Sequence, residues 1–362
     1  MKRVLYILVL GTVLSSCERE EGFQGPSLID QFGEFNVVEN LQISNPDVDF
    51  AAGESSFFTA EFSKSVNWEI VIKGAVSGAE KVISGSSRIL DEDNASWDGS
   101  TSNFPMFKSE SCDISLAVSY NTNSADSVIS VTDSIIASDK LNVASIKVNK
   151  GLLLSDFELG FNQNWDNRSL SSLGGVDVIN EFTDVTLSTQ AGVNFGALST
   201  VSPQGNSFFN LAGSCSWDWL IGMLVMPAAS YSDGASTYDL NENPNNVYFN
   251  FLLNVPENIS NAKLLIRFYE DDNNNGVFES GSEDMYSIWQ ESFDVGWQTI
   301  SVRYSDLEAL DGGSPVQADG NGARNPNLLK AVDVLLLADP SSGFSQVQMD
   351  YVIFTDDEPL KP

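Results

Sequence analysis

Histidine is absent from all 362 residues of this chain, and that absence removes several chemistries at once. No Ser-His-Asp or Cys-His nucleophile pair, no His-ligated zinc and no imidazole general base can be assembled here. Basic residues are scarce as well. Lys and Arg number 18 against 50 Asp and Glu, which gives a formal charge of −32 and a pI near 4.1. A surface of that sign repels nucleic-acid phosphates and argues against nucleic acid as a partner. Only three cysteines occur. No stretch beyond the N-terminal segment reaches the roughly 18 apolar residues of a membrane helix, and helical periodicity is almost missing. Hydrophobic residues still make up 42% of the chain, so it is a folding polypeptide and not an acidic tail. Carboxylate chemistry, calcium binding and a non-catalytic role remain open.

The N-terminus supplies an address. Lys2 and Arg3 precede an apolar run from Val4 to Val13 that is too short to span a bilayer. It ends in Leu14-Ser15-Ser16-Cys17, which resembles a bacterial lipobox. The resemblance implies a signal peptide over residues 1–16 and diacylation of Cys17, with lipid as the only membrane anchor. Residues 17–33 read as a polar tether containing Gly22, Gly25 and Pro26. Its Glu18-Arg19-Glu20-Glu21 start resembles the surface-export signal of lipoproteins in polysaccharide-degrading Gram-negative bacteria, which implies an outer-membrane protein facing outward. With Cys17 lipidated, Cys112 and Cys215 are left. The compartment permits a disulfide. Cys112, however, sits in an alternating strand pattern about 100 residues from Cys215, and two buried free thiols are expected.

Strand signals recur along the rest of the chain, separated by Gly, Asn, Asp and Ser clusters, so the expected class is all-β. A first block, residues 34–149, contains the alternating segment Val66-Asn67-Trp68-Glu69-Ile70-Val71-Ile72, with Trp68 as a core residue. About seven short strands in that length suit an immunoglobulin-like β-sandwich. Trp97-Asp98-Gly99 resembles a turn of bacterial immunoglobulin-like spacer domains. A second block, residues 151–355, opens with Asp156-Phe157-Glu158-Leu159-Gly160 and Trp165, continues through Gly296-Trp297-Gln298-Thr299-Ile300-Ser301, and closes with Asp350-Tyr351-Val352-Ile353-Phe354. These segments, in this order, resemble the jelly-roll, galactose-binding-like carbohydrate-binding modules. Residues 356–362 are left as a tail.

Three constellations could carry chemistry. Counting Asp271 as position 1, Asn273, Asn275, the Val277 carbonyl and Glu279 fall at positions 3, 5, 7 and 9, and Gly276 at 6. That matches the first three-quarters of an EF-hand-type calcium loop, but position 12 is Ser282 and the flanks read as strands. A calcium site and a plain Asn- and Gly-rich hairpin turn both fit. The jelly-roll resemblance implies a second possible calcium, held by Glu158 and Asp350, with two solvated carboxylates as the alternative. Among the aromatics, Trp217, Trp219, Tyr286 and Trp289 are the candidates for stacking on sugar rings, against core packing for each.

A hydrolase reading fares poorly. Jelly-roll endoglucanases of the laminarinase type carry Glu-x-Asp-x-x-Glu, and the nearest match, Glu270-Asp271-Asp272-Asn273-Asn274-Asn275, lacks the last Glu. No Gly-x-Ser-x-Gly elbow occurs. The expected protein is therefore a non-catalytic surface lipoprotein that binds a polysaccharide or oligosaccharide, with other surface glycan-uptake proteins as neighbours. The alternatives are an adhesive lipoprotein that binds protein partners and a glycoside hydrolase.

Overall fold

The computed structural model describes residues 35–124, 127–145, 151–159, 162, 164–169, 202–214, 220–231, 234–256, 263–337 and 344–361. Among the described residues the regular elements are strands and short 3-10 turns, so the chain is all-β with sandwich-like sheets, as the strand signals predict.

The first unit holds β1 (Val37–Ile43), β2 (Asp47–Asp49), β3 (Ser56–Gly74), β4 (Glu80–Leu90), β5 (Ser96–Trp97), β6 (Glu110–Ser124) and β7 (Ser127–Ser145). Strand β3 organises it. Phe58, Ala60, Phe62, Val66, Trp68, Ile70 and Ile72 share one buried face of the pleat, and the side chains between them are wetter. Its first half pairs with β1 and its second half with β6, while β4 lies along the other edge. One sheet of order β1-β3-β6-β7-β2 thus wraps round a core that includes Trp68, Trp97, Phe107 and Leu116. Cys112 is a free thiol in this core, and burial pushes it up to about 12. Cys215 lies outside the described residues.

The second unit holds β8 (Leu152–Ser155), β9 (Asp166–Ser169), β10 (Phe209–Ser214), β11 (Leu220–Pro227), β12 (Val247–Val255), β13 (Lys263–Glu270), β14 (Met285–Gln290), β15 (Gly296–Arg303), β16 (Leu310–Asp311), β17 (Ser314–Pro315), β18 (Leu329–Leu337) and β19 (Phe344–Asp356). Two antiparallel five-stranded sheets form. One runs β10-β19-β12-β15, with β8 also on β19, and the other runs β14-β13-β18-β11-β9. Their facing sides share one core, in which Phe249, Phe251 and Phe354 of the first sheet meet Ile266, Phe268 and Val334 of the second.

Strand β12 is buried on both faces, so its sequence reads as a nearly continuous apolar run and not as an alternation. Part of the cover on its outer face comes from the first unit. Phe104 and Met106 pack with Leu252, Tyr351, Ile353 and Leu360, and the Met106 N–H donates to the Pro203 carbonyl at 2.6 Å. Residues beyond 355 take part in the packing too. Strand β19 runs on to Asp356, and the Leu360 N–H donates to Asn250 Oδ1 at 3.0 Å.

Candidate ligand-binding face

On the first sheet of the second unit, the outer face is set by parity. Phe209 and Leu211 of β10, Val347 and Met349 of β19, and Phe251, Leu253 and Val255 of β12 point into the core. The alternate positions therefore face outward. The register pairs Asn210 with Gln348, Gln348 with Asn254, and Asn254 with Trp297. Three amide side chains and an indole thus stand in one row across four strands, and Gln346 joins the row one pleat further along β19.

The amides are almost fully buried, with exposures from 0% to 4%. Asn254 Nδ2 donates to Gln348 Oε1 at 2.6 Å, and Gln346 Nε2 donates to Asn210 Oδ1 at 2.7 Å. Among the described residues, Gln348 Nε2, Asn210 Nδ2 and Gln346 Oε1 have no hydrogen-bond partner. An unmet buried polar atom costs about 1–3 kcal/mol, so three in one row call for an external partner such as a ligand or ordered water. Neutral amides with both donors and acceptors suit hydroxyl groups better than they suit ions.

Trp297 closes the row at edge strand β15. Its ring meets the Phe208 ring edge-on at 5.9 Å. A cavity of about 530 Å³ lies beside it, lined by Thr101, Ser102, Asn103 and Phe104 of the first unit and by Trp297 and Thr299. The indole is half-buried and the Thr299 hydroxyl lies two residues along the same strand face. An apolar platform beside polar groups is the makeup of a sugar subsite.

Of the residues singled out from sequence, Trp217 and Trp219 fall outside the described residues. Tyr286 and Trp289 are three apart on β14, so they point to opposite faces. Tyr286 is an interior residue at 1% exposure, and its hydroxyl lies 3.2 Å from Asp284 Oδ2 and 3.0 Å from the Ala323 carbonyl, either of which can accept its proton. Trp289 packs on the outer face of the second sheet with Leu265 and Leu335. The row of amides drew no attention in the sequence, because Ser345-Gln346-Val347-Gln348-Met349-Asp350 alternates as any solvent-facing strand does. Trp297 was legible in the Gly-Trp-x-x-Ile-Ser segment.

The five EF-hand-type positions do share one loop. The buried Asp271 carboxylate accepts the Asn275 and Gly276 N–H groups at 2.9 and 2.7 Å. Asn273 and Asn275 donate their amides to Glu279, and Val277 is exposed. Glu158 and Asp350 flank residues 202–207. Glu158 Oε1 accepts the Asn206 and Ser207 N–H groups, and Asp350 Oδ2 accepts the Ser202 hydroxyl at 2.8 Å. Burial raises the Asp350 carboxyl well above the usual range, and the Glu158 charge adds to the rise.

A second group of carboxylates lies at the end of the other sheet. One oxygen from each of Glu270, Asp272 and Asp284 lies within 4.8 Å of the other two. Burial, with the charges of Asp272 and Asp284 behind it, pushes the Glu270 carboxyl up to about 8, against hydrogen bonds from Tyr304 and Asn325.

No protein-family model matches this sequence, and no curated protein matches it. Among solved structures, carbohydrate-binding modules are matched at TM-scores of about 0.3. A structure on the promiscuous specificity of carbohydrate-binding modules from the β-sandwich superfamily is 10% identical, covers 88% of this chain and 97% of its own, and has a TM-score of 0.34. The family 11 carbohydrate-binding module from Clostridium thermocellum, in complex with a β-1,3-1,4-mixed-linked tetrasaccharide, is 15% identical, covers 57% and 95%, and has a TM-score of 0.35. A family 30 carbohydrate-binding module is 12% identical, covers 57% and 98%, and has a TM-score of 0.34.

Proposed function

We propose that this chain binds a neutral polysaccharide or oligosaccharide without cleaving it, on the outer-membrane surface to which a lipidated Cys17 anchors it. The observation that carries the binding is the row Asn210–Gln348–Asn254–Trp297, in which Asn210 and Gln348 each have one unmet amide atom and the indole at its end lines a cavity. Amides pair with sugar hydroxyls in both directions, and the indole takes the C–H face of a ring. The formal charge of −32 favours neutral glycans over uronate- or sulfate-rich ones. The absence of histidine and the broken Glu-x-Asp-x-x-Glu pattern support the non-catalytic reading. Other glycan-uptake proteins of the same surface are the natural partners.

Isothermal titration against a panel of β-glucans, xylans and mannans tests this. The expected result is binding by the wild type, weakened at least about tenfold in Trp297→Ala, since a stacking or buried anchor contributes about 1–3 kcal/mol. Equal affinity in the two proteins, or no binding across the panel, overturns it. Release of reducing sugar by the wild type overturns the non-catalytic part. Replacing Cys17 with Ser is expected to move the protein out of the membrane fraction, and an unchanged fraction would contradict the anchor.

A further inference from the structure

We infer that Glu270, Asp272 and Asp284 form a calcium site that ties the end of β13 to the start of β14 and to the loop at residues 319–325. The site does not depend on the glycan reading.

Glu270 ends β13 and Asp272 lies two residues on, in the turn that follows, and their carboxylates converge, while Asp271 between them points into its own loop and caps N–H groups there. The ligand set is thus shifted by one residue from the one the EF-hand-type spacing suggests. Asp284 immediately precedes β14, and its N–H donates to Asp272 Oδ2 at 3.0 Å.

The three carboxylates converge with little to neutralise them. Among the described residues none of them forms an ion pair with Lys or Arg. The nearby Lys330 ammonium donates to the Gly276 carbonyl, and Arg324 donates to the Leu307 carbonyl and stacks on Tyr286. Neutral donors hold the carboxylates in place. Gly320 and Gly322 N–H groups bind the two Asp284 oxygens at 2.7 Å each, Asn321 Nδ2 binds Asp272 Oδ1 at 2.6 Å, and the Tyr304 hydroxyl and Asn325 N–H bind Glu270 Oε1. A carboxylate has about four lone-pair sites, so these bonds leave room for a cation.

The independent sign is Glu270 Oε2. Glu270 is 0% exposed, and this oxygen has no hydrogen-bond partner. A buried carboxyl oxygen without a partner is costly, and a cation is the partner that three carboxyl groups would share. The three carboxylate oxygens lie within 4.8 Å of one another, which calcium–oxygen bonds of about 2.3–2.6 Å can span. An all-oxygen donor set in a protein without histidine also suits calcium. Gly320 fits the same picture, because a Cβ there would collide with Asp272 Oδ2.

The test uses the full chain, stripped with EDTA, with no glycan present, so that its failure leaves the glycan reading untouched. Calcium titration is followed by calorimetry and by melting, and terbium is added to a parallel sample. The Tyr304 and Tyr286 hydroxyls are hydrogen-bonded to Glu270 and Asp284, so terbium at this site is excited through tyrosine. The expected result is one calcium per chain, a melting temperature raised by several degrees at saturation, and tyrosine-sensitised terbium emission. Asp272→Asn, at a half-buried position, is expected to weaken calcium at least about tenfold and to remove the emission. Glu279→Gln and Asp350→Asn are expected to keep both. Absence of calcium binding in the wild type overturns the inference. So does wild-type behaviour of Asp272→Asn, and so does loss of emission in Glu279→Gln or Asp350→Asn with Asp272→Asn unaffected.

Discussion

Trp68 and Gly85 illustrate how much a single contact decides. The Trp68 indole lies in the first core at 3% exposure, and its Nε1–H donates to the Ser87 hydroxyl at 2.9 Å. Gly85 is its partner across the β3–β4 ladder, and a Cβ there would collide with the indole Cζ2 and lie 2.9 Å from Cε2. The ring is packed within the first core, which leaves it little room to step back. Gly85→Ala is therefore expected to cost about 1–3 kcal/mol, read as a lower urea midpoint with an unchanged slope. Trp68 could be read as a core residue from alternation alone. Its dependence on Gly85 could not, because the register of β3 against β4 shifts between Glu61 and Val66 and is not encoded in either strand by itself. The amide row was hidden for a related reason. Gln346 and Gln348 have the same spacing whether that face of β19 meets water or protein, and only the neighbouring strands decide between the two.

At the scale of elements, the hairpin joining β3 to β4 is held from outside by Glu110 at the start of β6. Its Oε2 accepts the Val76 and Ser77 N–H groups at 2.5 and 2.9 Å, and its Oε1 accepts the Ser77 hydroxyl at 2.5 Å and the Lys108 N–H at 2.9 Å. Burial works to raise the carboxyl, but the hydrogen bonds from Ser77, Lys108 and Val76 outweigh it and leave the pKa below the ordinary value. A carboxyl depressed in the folded state adds stability that is complete above its unfolded pKa, near 4.3, and that is lost as pH falls through the folded value. Glu110→Gln is expected to lose about 1–3 kcal/mol at pH 7. Urea melts at pH 7 and pH 3 check the sign, because the gap between wild type and variant must narrow at the lower pH. A gap that stays constant would mean that Glu110 acts through shape and not through charge. The strands themselves were legible. The β3, β13 and β19 segments carry clean alternation or long β-branched runs, and the all-β class follows from them. Their partners were not legible, and the cation cluster shows why. Glu270 and Asp272 belong together by local spacing, but Asp284 and the loop at 319–325 reach them only through tertiary pairing.

For the whole molecule, the question is how two cores share one chain. The first core lies within β1–β7 and the second between the two sheets of β8–β19. A third, smaller cluster crosses between them, and Met106 is at its centre. Met106 belongs to the first unit by sequence, but it is 3% exposed against Leu252, Tyr351 and Ile353 of the second and Leu360 of the last segment. Lys108 Nζ also reaches Asn206 Oδ1 at 3.4 Å. Cutting the chain at residue 150 would uncover Leu252 and Ile353, and ending it at 355 would also remove Leu360. The fragment 151–355 is accordingly expected to melt cooperatively but well below the second transition of the intact chain, and restoring residues 356–362 should recover part of the difference. In the full chain, Met106→Ala is expected to remove about 2–5 kcal/mol of the coupling between the units, the range for emptying a buried methionine site. Calorimetry should then resolve two transitions further apart than in the wild type. The neighbouring Phe104 and Asn103 line the cavity at Trp297, so the same variant should weaken glycan binding. If Met106→Ala alters neither the separation of the transitions nor the affinity, the cluster is an incidental contact, and the two units act independently along the chain.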